Sequence, residues 1–161
     1  MKKRYFIAVL LLVLLLAGCS GGEESPYKND VAVSDLAAAV DASLSNPDLI
    51  AMQDSYLTNA MQLDPAAFAE YAVKINSKGI NIDEYGIFKA PDAKSVEDTQ
   101  KATEGYLQFR LDTWMPEYMP EELPKLEEAQ VKVCGEYVMY AILSDEDAED
   151  AFAAFESALA K

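Results

Sequence analysis

The sequence predicts an α+β domain: a mainly antiparallel four-stranded sheet built from two strand-strand-helix units, preceded by a helical N-terminal segment, with the helices packed on one face. Three observations lead there. Apolar residues recur at helical spacing early in the chain, the period shortens to two from Tyr71, and a strand-strand-helix order then occurs twice.

In the helical segment, Ser34 can cap a helix whose Leu36, Val40 and Leu44 recur every four residues, with Asn46-Pro47 as its stop. Asp54 can cap a second short helix carrying Tyr56, Leu57, Ala60 and Met61 on one side. Asp64-Pro65 supplies a cap and a first-turn proline for a brief turn through Phe68. From there Tyr71, Val73 and Ile75 alternate with small or polar residues, Asn76-Ser77-Lys78-Gly79 reads as a turn, and residues 84–90 form the second strand. Ser95 and Asp98 make a capping-box pattern before a long helix whose stripe is Val96, Thr99, Thr103, Tyr106, Leu107, Arg110, Leu111 and Trp114. The second unit follows: Val131 and Val133, a turn at Gly135-Glu136, and the apolar run at residues 137–143. Ser144 with Asp147 then caps a last helix that buries Ala148, Ala151, Phe152, Phe155 and Leu159.

Ahead of this domain, Lys2, Lys3 and Arg4 precede an uncharged apolar run from Tyr5 to Leu16, the layout of a secretory signal and too short to span a bilayer. Leu16-Ala17-Gly18-Cys19 resembles the lipobox of bacterial lipoproteins. Residues 1–18 are therefore expected to be a removed signal peptide, with Cys19 lipidated. Residues 19–32 would be a flexible tether rich in Gly, Ser, Glu and Pro, and residues 33–161 one globular unit. The expected location is the extracytoplasmic face of the cell membrane, held through lipid on Cys19.

Of 13 basic and 28 acidic residues, cleavage removes three basic ones and no acidic ones, taking the formal charge from −15 to −18. Such a surface is unsuited to nucleic acid, whose binding depends on Lys and Arg neutralising phosphates. No histidine is present, which excludes Ser-His and Cys-His hydrolases and His-bearing zinc sites. With Cys19 acylated, Cys134 is the one remaining thiol, so no intramolecular disulfide forms; its alternating surroundings predict a buried apolar cysteine.

The chain also resembles the DUF4358 family of bacterial lipoproteins, over about residues 34–161. The resemblance rests on Asp64-Pro65 before an aromatic segment ending at Ile75, on Asp83-Glu84-Tyr85-Gly86-Ile87-Phe88-Lys89-Ala90, and on Gly135-Glu136-Tyr137-Val138-Met139-Tyr140 before an acidic helix. Where family members often carry Asp-Glu-Ile or Asp-Glu-Val, this chain has Asp-Glu-Tyr. The resemblance implies domain limits and no catalytic residue.

Three features could carry chemistry. The run Asp145-Glu146-Asp147 with Glu149 and Asp150 has the oxygens calcium needs but neither the glycine nor the spacing of an EF-hand, and is read as a helix cap; no metal or cofactor is expected. Asp83-Glu84 and Glu121-Glu122 could serve acid-base hydrolysis, yet such pairs arise by chance in so acidic a chain, and no enzyme is predicted. The proline-punctuated stretch from Trp114 to Pro124 keeps Trp114 and Tyr118 out of helix, making those two the candidate interaction surface. The function expected is a lipid-anchored binding or interaction module, accessory to envelope or transport machinery through a protein partner. The alternatives are a small-molecule or peptide binder using a pocket between sheet and helices, and then a carboxylate hydrolase.

Overall fold

The computed structural model describes residues 25–45, 48–115 and 117–161. The expected signal peptide, lipobox and Cys19 lie outside the described residues, as does the Asn46-Pro47 helix stop. The elements are α1 (Val33–Asp41), β1 (Leu49–Ala51), α2 (Asp54–Tyr56) continuing into a π-helical turn (Leu57–Met61), a 3-10 turn (Pro65–Ala67), β2 (Glu70–Asn76), β3 (Glu84–Lys89), α3 (Val96–Asp112), a second 3-10 turn (Pro120–Glu122), α4 (Leu123–Glu127), β4 (Gln130–Cys134), β5 (Tyr137–Ile142) and α5 (Asp145–Leu159).

The α+β class holds, with two corrections. The sheet has five strands, not four, in the order β1-β2-β3-β5-β4, with every neighbouring pair antiparallel. The extra strand is β1, three residues long and too short to show alternation. The helices also cover both faces, not one. α1 and α5 pack on Tyr85, Ile87, Tyr137, Met139 and Ala141, while α3, α4 and the π-helical turn pack on Phe88, Tyr140 and Ile142. The reason is visible in the central strands: β5 is buried at all six positions and β3 at five of six, so both sides need a cover. Because the two strand-strand-helix units place α3 and α5 on opposite faces, their likeness is one of element order. A two-fold axis normal to the sheet would have kept both helices on one side.

The expected caps divide by local geometry. Asp64 accepts from the Ala66 amide and Ser144 from the Asp147 amide, as the spacing predicts. Ser34 caps nothing: α1 starts one residue earlier, and the Val33 amide donates to the Glu70 carboxylate across to β2. Asp54 sits inside α2, and its carboxylate accepts the Tyr71 hydroxyl instead. Ser95 donates to Asp92, whose carboxylate gathers the Lys94 and Ser95 amides and ties the turn ahead of α3.

Part of the stretch assigned by composition to the tether lies against the domain. The Lys28 amide donates to the Leu159 carbonyl at 2.8 Å, the Lys161 amide to the Pro26 carbonyl at 3.1 Å, and the Tyr27 hydroxyl to Glu156 at 2.8 Å. This strap crosses the β4–β5 turn. Gly135 there has φ +61, the first central position of a two-residue hairpin turn that favours glycine, and a Cβ on it would come within 2.7 Å of the Asn29 side-chain oxygen.

Candidate functional site

Residues 83–90 place the most unusual side chain in the core. Alternation along β3 turns Tyr85 and Ile87 toward α1 and α5, and Glu84, Gly86 and Phe88 toward α3. Glu84 is only 2% exposed. Its Oε1 accepts the hydroxyls of Tyr106, at 2.6 Å, and of Tyr140. Its Oε2 pairs with the Arg110 guanidinium and takes a long contact of 3.4 Å from Tyr56. Arg110 also donates to the Tyr106 oxygen at 2.8 Å. Gly86 makes this possible: it lies opposite Tyr140, and a Cβ there would sit 2.2 Å from the Tyr140 ring. Burial, and then the charge of Glu84, pushes the Tyr106 and Tyr140 hydroxyls well above their ordinary value, so both remain donors at neutral pH. The cluster is closed on itself, and its chemistry is to orient α3 against the sheet.

Of the other carboxylates weighed for catalysis, two are also engaged. Asp83 and Glu122 share the Lys125 ammonium at 2.7 and 2.8 Å. The run from Asp145 to Asp150 opens α5, where Asp147 accepts from the Ser45 amide and hydroxyl and from the Ser144 hydroxyl. Among the described residues no three His, Cys, Asp or Glu side chains converge so as to hold a metal ion. Cys134 is fully buried in the cluster beneath α1 and α5, and burial pushes its thiol up.

Of the candidate interaction pair, Trp114 is half-buried against the cluster under α3, and its indole Nε1 meets no acceptor among the described residues. Tyr118 is 56% exposed, its ring 6.5 Å from that of Trp114. Met115, within the same proline-punctuated stretch, and Ile80, which the sequence pattern does not mark, are each 66% exposed. Ile80 sits on the β2–β3 connection, which is tied to the segment after Tyr118: the Ile82 amide donates to Glu122 at 3.1 Å and Lys125 bridges to Asp83. These exposed apolar residues therefore share the end of the sheet where β3 begins and β5 ends. The strap at residues 25–31 docks at the other end, beside Gly135.

Two grooves flank β4, the strand at one edge of the sheet. One, of about 890 Å³, runs between β4 and α5 over Ala141, Leu143, Ala148 and Phe152. The other, of about 330 Å³, lies between β4 and the α3–α4 pair over Leu107, Leu111, Leu126 and Val131. Glu128, Asp145 and Glu149 line the first and Glu104 and Glu127 the second. Asp145, by hydrogen bonding and by its charge, raises the Glu128 carboxyl above the usual range.

Neither a curated protein nor a solved structure matches the chain. A family model does, across residues 42–143, and it is described as a domain of unknown function, DUF4358. The matched span holds all five strands and the whole Glu84 cluster, and leaves out α1 and α5. With well over half of its length matched, the chain belongs to the DUF4358 family.

Proposed function

We propose that the protein is a lipid-anchored extracytoplasmic interaction module, tethered through Cys19 and accessory to envelope or transport machinery. One observation carries the reading beyond the signal and lipobox pattern. The strap leading from the anchor docks beside Gly135, and Ile80, Met115 and Tyr118 are exposed at the opposite end of the sheet. An anchor at residue 19 then directs this apolar end away from the bilayer, toward whatever stands in the envelope. Exposed Tyr and Met suit such a role, since both offer large adaptable contact area.

The test is a photo-crosslinker at position 118 in intact cells, with Cys19→Ser as the unanchored control and a metabolic fatty-acid label to read acylation. Acylation lost in the control, together with one reproducible envelope partner captured only by the anchored protein, supports the reading. An unlabelled wild-type protein, or an identical capture profile from both forms, overturns it. A peptide-binding lipoprotein is the second reading, favoured by the grooves beside β4.

A further inference from the structure

We infer that the outer edge of β4 is a docking site for an extended, basic peptide segment, which joins the sheet as a sixth strand. This inference deepens the peptide-binding reading and depends on neither the anchor nor the Tyr118 end.

Three observations converge. First, β4 is the terminal strand, paired among the described residues only with β5, and Gln130–Cys134 contains no proline to block its outer edge. The opposite edge strand, β1, is three residues long and offers far less to pair with. Second, β4 has a groove on each side of the sheet. Side chains of an added strand alternate between faces, so successive residues would enter the α5 groove and the α3–α4 groove in turn. Backbone hydrogen bonds then supply affinity and the two grooves supply selectivity.

Third, the charge is one-sided. Among the described residues none of Glu104, Glu127, Glu128, Asp145 and Glu149 makes an ion pair. The two lysines of the larger groove are occupied, Lys125 by Asp83 and Glu122, and Lys132 by Glu156. Apolar floors with unneutralised carboxylate rims fit a strand that mixes aliphatic residues with Lys or Arg. An acidic peptide would meet like charge on both sides.

The experiment measures binding of fluorescent eight-residue peptides to the full chain in nonionic detergent. The probes are an alternating Val/Lys peptide, its Val/Glu counterpart, and a Val/Lys peptide N-methylated at alternate amides. The Val/Lys peptide is expected to bind saturably. Both other peptides, and two variants tested with the Val/Lys peptide, should bind about tenfold more weakly or worse. The variants are Glu149→Lys, which reverses one rim charge, and Ala153→Trp, which fills the larger groove. Both change exposed positions on α5, and circular dichroism checks that the fold is kept. Absence of binding, equal binding of the acidic peptide, or indifference to N-methylation overturns the proposal. So does sedimentation showing that a second copy of the chain already occupies the edge. Because the peptides are tested on isolated protein, their failure leaves the crosslinking result at position 118 untouched, and the reverse also holds.

Discussion

On the α1/α5 side of the sheet, Tyr85, Ile87, Tyr137, Met139 and Ala141 meet Val33, Leu36, Val40, Phe152 and Phe155. Polar contacts among the described residues there include the Tyr85 hydroxyl, on the Ala37 carbonyl and Asp41, and the Tyr137 hydroxyl, on the Val31 carbonyl. On the other side, α3 buries Thr99, Thr103 and Tyr106, little apolar surface for 17 residues, and is pinned by Glu84 through Tyr106 and Arg110. One side is assembled by burial, which is non-directional and tolerates repacking. The other depends on directional bonds, which fix where α3 lies and fail when one partner is lost. The side built on bonds is the one that lies wholly within the family span, while both helices of the other side lie outside it.

The largest effect that sharpens this contrast is removal of the central carboxylate. Glu84→Ala leaves Arg110 partly buried without its partner and should cost about 3–5 kcal/mol in urea unfolding. The double replacement Glu84→Leu with Arg110→Met should recover part of that loss, the part due to the unpaired charge, while the Tyr106 and Tyr140 hydroxyls stay buried without their acceptor. If the double variant is no better than Glu84→Ala, the directional account of this side fails. Next is Gly86→Ala, whose methyl must displace the Tyr140 ring and with it one hydroxyl on Glu84. A loss of about 1–3 kcal/mol is expected, with a changed near-ultraviolet tyrosine signal.

Ser144→Ala removes the α5 cap on the apolar side and should cost about 1 kcal/mol, with no effect on that tyrosine signal. Smallest of all, Tyr118→Ala should change stability by less than about 0.5 kcal/mol, since an exposed side chain is lost. A larger loss would make Tyr118 part of the fold and weaken its case as a docking residue.

Acid also separates the regions. Burial pushes Asp147 up, but the hydrogen bonds from Ser45 and Ser144 outweigh it and hold the carboxyl below its ordinary 3.8. Bonds from Lys132 and Tyr27 hold Glu156 below 4.5. Both folded values are depressed, so the unfolded chain takes up protons first as pH falls. Their stabilisation is present above the ordinary values and is lost as pH drops through the lower folded ones. Exchange protection around the strap and the start of α5 should therefore weaken early in an acid titration followed by hydrogen exchange. At the alkaline end, hydrogen bonding to Glu156 is the largest cause that lifts Tyr27 to about 12, so its contribution persists to pH 10 and fades as pH approaches 12.

The helices and strands with sustained period could be read from the chain: Val96 to Leu111 as one stripe, Tyr71 to Ile75 as alternation, Ser144 with Asp147 as a cap. Three things could not. Leu49–Ala51 becomes a strand only because β2 offers it an edge. Ser95 stands at the N-cap of α3 without a side-chain cap bond because its hydroxyl is taken by Asp92, whose carboxylate reaches two amides and a hydroxyl of the preceding turn at once, a local competition among neighbouring polar residues. The role of Glu84 was hidden because its partners lie 22, 26 and 56 residues away. A weak signal existed in Gly86, a glycine inside an apolar strand, which marks a close approach by a bulky neighbour. Residues 137–143 also held the clue to the second helical layer, since an unbroken apolar run needs two covers.

The pairing of Pro26 and Lys28 with Lys161 and Leu159 brings the two ends of the described residues side by side. A reporter fused after Lys161 would thus emerge next to the strap and leave the Tyr118 end unobstructed, whereas a circular permutant joining these ends and opened at Gly79 would move both termini to the Tyr118 end. Pulling on residue 25 would load the strap's hydrogen bonds to α5, so force would be borne first by the last helix and only afterwards by the sheet.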